Sequence, residues 1–172
     1  MKRKAVKLLL IFLCFILQGS LFSVISLGGV SPNLLIMLTS FSGFMSGKKE
    51  GMFTGAVSGL FIDVLYGNGL IGFSMLLYAW IGYANGAFNR LFYPEDVKLP
   101  LILTTVSDFL AGFLTYVFLF LLRSRLDLSF YMLKIILPET VYTLLITILL
   151  FRPFLFLEEL LKDETERKGT NA

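Results

Sequence analysis

Apolar residues dominate six stretches of the chain, each bounded by polar residues, glycine or proline. The stretches cover residues 8–27, 32–47, 51–66, 70–89, 99–122 and 132–151. Each is about 16 to 24 residues long, near the length that crosses the roughly 30 Å hydrocarbon core of a bilayer. Because none of them alternates apolar and polar residues, the pattern predicts helices rather than strands. The predicted fold is all-α, a polytopic membrane bundle of about six transmembrane helices.

Composition places the chain among integral membrane proteins and removes several functional classes. Of its 172 residues, 56% are hydrophobic and 16% are charged, and the mean hydropathy is +0.81. Cys14 is the only cysteine and histidine is absent, so the commonest general base and transition-metal ligand is missing. The sequence has no phosphate-binding, hydrolase or zinc-protease motif and no basic-aromatic array. We therefore predict no catalytic residue, no metal site, no cofactor and no nucleic-acid partner.

The distribution of positive charge predicts the orientation in the membrane. Twelve of the 15 Lys and Arg residues lie at the two ends of the chain or in alternate loops, against Arg123, Arg125 and Lys134 on the other side. Both termini are therefore predicted to face the cytoplasm. The basic start followed by an apolar core, without a cleavage site, indicates an uncleaved signal anchor. We expect a membrane domain over residues 1–157 and a charged cytoplasmic tail over 158–172.

Two features of the predicted spans leave room for irregular structure. The stretches 32–47 and 51–66 are short for a full crossing, so a re-entrant hairpin is an alternative to two complete spans. Pro138 falls inside the sixth stretch, where the missing N–H is expected to kink the helix or free a carbonyl group.

Small residues recur at every fourth position in and around the third stretch. Small-xxx-small spacing lets two helix backbones approach closely in a membrane. The carboxylate at position 63 lies about 40° around the helix from the glycine before it, because four residues turn a helix by roughly 400°. We predict that this stripe is a helix-packing surface or a partner interface. Its members are Gly51, Gly55, Gly59, Asp63 and Gly67.

Three acids, Asp63, Asp108 and Glu139, fall within predicted spans. An ionised carboxylate at the centre of a membrane helix costs about 2.5 to 3.5 kcal/mol on insertion scales. In one group of interpretations, the acids form a proton or cation relay, a substrate site or a polar contact to a partner helix. The other makes them protonated groups whose hydrogen bonds fix the register of the bundle, or groups wetted at a membrane face.

Residues 31–83, "SPNLLIMLTSFSGFMSGKKEGMFTGAVSGLFIDVLYGNGLIGFSMLLYAWIGY", resemble the central part of the bacterial rod shape-determining protein MreD family. The shared elements are Pro-Asn before an apolar helix, a short basic loop, and G-x-x-x-G-x-x-x-D with Gly67 and Gly69 soon after. An acid in the fifth span and "LPETVYTLLITILLFRPF" near the end also fit this family.

The resemblance implies a non-enzymatic inner-membrane component of the machinery that elongates the side wall of rod-shaped bacteria. Its implied partner is the bitopic protein MreC. Through MreC it would meet the actin-like MreB, the polymerase RodA and an elongation-specific penicillin-binding protein, and this chain itself would contact membrane lipid. On this reading, the glycine stripe and Asp63 either hold the bundle together or form the seat for the MreC transmembrane helix.

Two other classes of protein remain open. Chains of this kind also resemble the substrate-binding S components of energy-coupling-factor vitamin transporters, which share the six-helix bundle fold. In that case Tyr66, Asn68, Tyr83, Asp108 and Glu139 become candidates to line a ligand pocket. A proton-coupled carrier built on the three acids is the third interpretation, although the sequence contains no detectable inverted repeat.

Overall fold

The computed structural model describes residues 2–24, 29–65, 71–91, 97–119 and 128–169, which are almost entirely helical and include no β-strand. A short 3₁₀ turn (Phe88–Leu91) follows the fourth helix, and a π-helical segment (Met132–Ile136) joins the sixth helix to the seventh. The helices are α1 (Lys2–Val24), α2 (Leu34–Ser46), α3 (Lys48–Leu65), α4 (Phe73–Ala87), α5 (Lys98–Leu119), α6 (Leu128–Tyr131) and α7 (Leu137–Gly169).

The all-helical prediction is confirmed, whereas the number of complete membrane spans stays a prediction. Within the described residues, Lys98–Phe118 and Ser129–Leu157 are long and apolar enough to cross a membrane. Ala5–Ser20 and Leu34–Ser46 are apolar but shorter. At 1.5 Å per residue, the 13 residues of α2 reach only about 20 Å, less than the hydrocarbon thickness.

Helix α2 lies at the centre of the bundle. Every residue from Leu34 to Met45 is buried, and α2 contacts α1, α3, α4, α5 and α7. Such burial suits a helix that is apolar on nearly all sides. Its buried hydroxyl groups are bonded locally or to neighbouring helices: Thr39 donates to the Leu35 carbonyl oxygen at 2.7 Å, and Ser42 pairs with Thr54 at 2.9 Å. The other helices are therefore arranged around α2.

The turn between α2 and α3 consists of one residue, Gly47. Its φ of 93° lies in the left-handed region, which glycine adopts without the strain a side chain would add. The Gly47 N–H donates to the Gly43 carbonyl oxygen at 2.8 Å, and the Gly51 N–H donates to the Gly47 carbonyl oxygen at 3.0 Å. This tight turn presents Lys48 and Lys49 at one end of the bundle.

A π-helical segment lies just before Pro138, where the sequence predicts a kink or a free carbonyl group. The Leu137 N–H donates to the Met132 carbonyl oxygen, five residues back instead of four. Beyond it, α7 continues past Pro153 as far as Gly169. No break in the helix marks the predicted boundary between residues 157 and 158, so that boundary stays a prediction.

The outer surface of the bundle is strongly apolar. Leu9 is 67% exposed on α1, Leu76 is 72% exposed on α4, and Leu149 is 71% exposed on α7. A soluble monomer rarely exposes apolar side chains so extensively, whereas lipid tails cover them at no cost.

Candidate functional site

The glycine stripe on α3 is covered by α4 of the same chain. Gly51, Gly55 and Gly59 face the backbone of α4 at Gly82, Tyr78 and Ser74 respectively. A Cβ atom added at any of the three would overlap with the carbonyl oxygen opposite. The α3–α4 hairpin is therefore packed backbone against backbone, in an antiparallel register that advances four residues at each step.

Asp63 continues this register but contacts α4 through its carboxylate. It is 3% exposed, and its two oxygens accept hydrogen bonds from the N–H groups of Gly72 at 2.9 Å, Ser74 at 3.2 Å and Met75 at 3.1 Å. The first N–H groups of a helix have no partner inside it and carry partial positive charge. Asp63 therefore caps the start of α4 from the neighbouring helix.

Asn33, the residue before α2, joins three helices. Its backbone N–H donates to the Thr143 hydroxyl oxygen on α7 at 2.9 Å, and its side-chain oxygen accepts from the Ile36 N–H at 3.2 Å. Its side-chain NH₂ donates to the Tyr78 hydroxyl oxygen on α4 at 2.9 Å. One asparagine thus caps α2 and binds α4 and α7 to it.

Asp108 and Glu139 lie beside Asn33, in what we call the polar cluster. Its members are Asn33, Tyr78, Asp108, Glu139, Thr140 and Thr143. Asp108 on α5 is 3% exposed, Glu139 at the start of α7 is partly buried, and the two carboxyl groups are close enough to interact electrostatically. The sequence-predicted acids of the fifth and sixth stretches therefore meet at one place.

The polar cluster contains buried polar atoms without hydrogen bonds. Asn33, Thr140 and Thr143 act on the Asp108 carboxyl as hydrogen-bonding groups, although neither of its oxygens is within strict hydrogen-bonding geometry of them. The Thr140 hydroxyl is also unpaired, as is that of Thr104, one turn before Asp108 on α5. The polar cluster is therefore a buried polar contact between α5, α7 and the start of α2.

Asn85 extends the polar interior between α4 and α5. Its side-chain NH₂ donates to the Ser107 hydroxyl oxygen at 2.8 Å and to the Ile81 carbonyl oxygen at 2.9 Å. This contact is not apparent from the sequence, because Asn85 lies between Gly82 and Gly86, whose spacing is typical of helix packing. The contact between this buried amide and a serine of the next helix can be recognised only when the packing of α4 against α5 is known.

A second contact missed from sequence is an ion pair near the other end of the bundle. Lys7 on α1 is 3% exposed, and its ammonium group lies 3.2 Å from the Glu50 carboxylate on α3. It also donates to the Ser42 hydroxyl oxygen on α2 at 2.8 Å. Lys7 contributed only to the count of positive charges in the sequence, but in the fold it links three helices.

The remaining predicted site residues lie apart from the polar cluster or outside the described residues. Gly67 falls outside them, together with Tyr66 and Asn68. Tyr83 is 46% exposed, and the Lys48 ammonium group lies 5.3 Å from the centre of its ring. The expectation that Tyr83 lines a ligand pocket stays a prediction.

An apolar groove with a volume of about 370 Å³ runs along the outer face of the last helical stretch. Most of its lining side chains are exposed, and Pro138 lies at its middle. In the described part of the chain, no group of three or more His, Cys, Asp or Glu residues is placed to hold a metal ion. The groove is lined by Leu133, Leu137, Pro138, Val141, Tyr142 and Leu145.

Apolar outer faces, two helices long enough to span a bilayer, and a polar interior define a helical integral membrane protein. A comparison with protein-family models identifies the family: the model for rod shape-determining protein MreD matches residues 1–161. The chain belongs to the MreD family, a family of membrane proteins with a role in rod shape determination. Comparisons with curated proteins and with solved structures found no match. The resemblance to transporter S components therefore stays a prediction.

Proposed function

We propose that this protein is a non-enzymatic scaffold of the bacterial cell-wall elongation machinery. It binds the transmembrane helix of MreC, and through MreC it helps to organise MreB, RodA and an elongation-specific penicillin-binding protein during side-wall peptidoglycan synthesis. The match of residues 1–161 to the MreD family carries this proposal. The lack of any recognisable catalytic motif in the sequence is compatible with it.

The seat for MreC, in this proposal, is the apolar groove on the π-helical segment and α7. Two candidate surfaces follow from the sequence and the fold, the glycine stripe and this groove. Since Gly51, Gly55 and Gly59 already contact the backbone of α4, a second helix cannot approach them without separating the hairpin. The groove remains open, and its exposed Leu133 and Val141 side chains offer the dispersion contacts that hold helices together in lipid.

We further propose a multi-pass topology in the cytoplasmic membrane with both termini in the cytoplasm. The ion pair between Lys7 and Glu50 supports it, because it brings the start of α1 next to the start of α3. The N terminus and the basic turn at Gly47 then lie on the same side, as the positive-inside rule requires. On this topology the polar cluster lies nearer to the outer face.

The experiment is to fill the groove and measure MreC recovery. Val141→Trp places a large ring on an exposed groove position, and Leu149→Trp makes the same change on α7 at an exposed position outside the groove lining. We expect affinity-tagged Val141→Trp protein to recover much less MreC from solubilised membranes, and Leu149→Trp to recover as much as the wild type. Equal recovery by both variants at equal protein levels would exclude the groove as the seat.

A vitamin-transporter S component is the second proposal, favoured by the buried polar side chains around Asp108 inside the bundle. Such a protein would co-purify with a transmembrane coupling subunit and paired ATPases. Identification of the co-purified proteins by mass spectrometry separates the two: MreC and wall enzymes support the scaffold, whereas ATPases without wall enzymes support the transporter component.

A further inference from the structure

We propose that the lysine-bearing end of the α3–α4 hairpin binds the headgroup of an anionic phospholipid. The site consists of the exposed side chains of Lys48 and Lys49, at the start of α3, and of Tyr83 on α4. The Lys48 ammonium group lies 5.3 Å from the centre of the Tyr83 ring. Positive charge beside an exposed aromatic ring at the end of a membrane helix is the chemistry that recognises a lipid phosphate.

The fold holds the basic side chains at one end of the bundle. The backbone of Lys48 packs directly against α4 at Gly86, where an added Cβ atom would overlap with it. The side-chain NH₂ of Asn89 donates to the Phe44 carbonyl oxygen, near the end of α2, at 2.7 Å. This hydrogen bond keeps the 3₁₀ turn and its exposed Arg90 at the same end. Arg90 therefore adds positive charge at the end that carries the two lysines.

The acid next to the two lysines does not cancel their charge at the surface. Glu50 follows Lys49 directly in the chain, but its carboxylate lies 3.2 Å from the ammonium group of Lys7, which is buried. Opposite charges at this distance compensate each other. Glu50 is therefore neutralised by α1, and the charges of Lys48 and Lys49 act on groups outside the bundle.

An exposed apolar surface continues from the lysine-bearing end along the hairpin. Met52, about one turn after Lys48 on α3, is exposed, and so are Trp80 and Leu76, successive turns from Tyr83 along α4. A lysine stem can lie along such a surface while its ammonium group stays at the level of the headgroups. The order of charge, aromatic ring and hydrocarbon matches the headgroup, interface and acyl chains of a phospholipid, whereas a soluble phosphate matches the charge alone.

The test measures the lipid that the purified full-length protein retains. The protein in a nonionic detergent is mixed with equal amounts of dioleoyl-phosphatidylglycerol and dioleoyl-phosphatidylcholine, and the bound lipids are counted by native mass spectrometry. We expect the wild type to retain the anionic lipid preferentially. In the double variant Lys48→Gln/Lys49→Gln this preference should fall roughly fivefold or more, since one lysine beside anionic lipid contributes a factor of about five.

Three controls accompany the double variant. Lys48→Arg/Lys49→Arg keeps the charge and should keep the preference. Lys134→Gln should also keep it, although it removes a lysine whose ammonium group lies 5.3 Å from the centre of the Phe130 ring, in the π-helical segment. Glycerol 3-phosphate, which carries the phosphate without acyl chains, should not displace phosphatidylglycerol at equal concentration.

Four results would overturn the inference. Equal preference in the wild type and the glutamine double variant means that the two lysines do not hold the headgroup. An equal loss in Lys134→Gln means that the effect follows total charge rather than this site. Displacement by glycerol 3-phosphate means that a soluble phosphate is bound. A glutamine double variant that keeps the lipid preference but recovers less MreC from membranes means that the lysines contact a protein. Because the lipid assay uses the purified protein alone, its outcome is independent of the proposed binding to MreC.

Discussion

Two buried aspartates of this protein lie in opposite environments, although both are 3% exposed. Asp63 accepts three backbone hydrogen bonds at the start of α4, in a hairpin whose glycines leave no free space. Asp108 on α5 lies beside Asn33, Thr140 and Thr143, but none of them is within strict hydrogen-bonding geometry of its carboxyl oxygens. The same type of side chain is therefore held firmly by backbone groups at one place and loosely by side chains at the other.

The difference separates an acid that the backbone of the next helix stabilises from one that is surrounded by side chains. An N-terminal helix turn offers donors and a favourable dipole, so Asp63 is stabilised by groups that the fold already contains. Asp108 faces hydroxyl and amide side chains, which can reorient and are not within strict hydrogen-bonding geometry of it. Burial alone does not distinguish these two cases, whereas the state of the hydrogen-bonding partners does. The following predictions test this comparison.

The largest effect is expected from Gly55→Ala. The new Cβ atom would overlap with the carbonyl oxygen of Tyr78, and because that atom belongs to the backbone the two helices must separate. We expect a loss of at least about 3 kcal/mol in the free energy of unfolding, at the upper end of overpacking costs. The measurement is reversible unfolding in mixed detergent micelles.

Gly112→Ala is the matched control on α5. Its Cβ atom would lie 3.3 Å from a side-chain methyl of Ile136, which can move, and alanine favours the helix by about 1 kcal/mol over glycine. Little net change is therefore expected. If Gly55→Ala were as stable as Gly112→Ala, the close approach of α3 to α4 would be wrong.

Asp63→Asn should destabilise the protein by about 2 kcal/mol. The amide keeps one acceptor oxygen but turns an NH₂ group toward backbone N–H groups, and hydrogen bonds to a charged acceptor are the stronger ones. The same unfolding measurement applies, and amide hydrogen exchange at Ser74 and Met75 should become faster. Unchanged exchange at both residues would argue against the cap.

The sequence predicts much of the α3–α4 hairpin and little of the polar cluster, for a physical reason. Glycines at every fourth position indicate a close helix contact from the sequence of α3 alone, and Asp63 follows at the same spacing. The identity of the other helix, and the N–H groups that Asp63 binds, depend on how the chain folds back. Those partners are nine to twelve residues away, beyond any pattern within α3.

The polar cluster is assembled from parts of the chain that are far apart. Asn33 lies 45 residues from Tyr78 and 110 from Thr143, so no local spacing connects them. Asp108 and Glu139 stand out in the sequence because they are acids among apolar residues, but their proximity follows from the packing of α5 against α7. Each acid could therefore be predicted from the sequence as a candidate site residue, whereas the position of both acids in one cluster could not.

Tyr78→Phe tests the bonded part of the polar cluster. Loss of the hydroxyl leaves the Asn33 NH₂ group without the acceptor at 2.9 Å, so we expect a cost of about 1.5 kcal/mol. Tyr83→Phe on the same helix is the control, because Tyr83 is 46% exposed and outside the cluster. Equal stability of the two variants in unfolding experiments would mean that the Asn33 contact contributes nothing.

Asp108→Asn should have the smallest effect and the opposite sign to Asp63→Asn. Burial disfavours the charged carboxylate here, so its neutral isostere should stabilise the protein by about 1 kcal/mol, since replacing poorly compensated buried charges is often neutral or stabilising. The measurement is the same unfolding experiment at neutral pH. If Asp108→Asn instead lost as much stability as Asp63→Asn, Asp108 would be a second structural acid, and the contrast between the hairpin and the polar cluster would disappear.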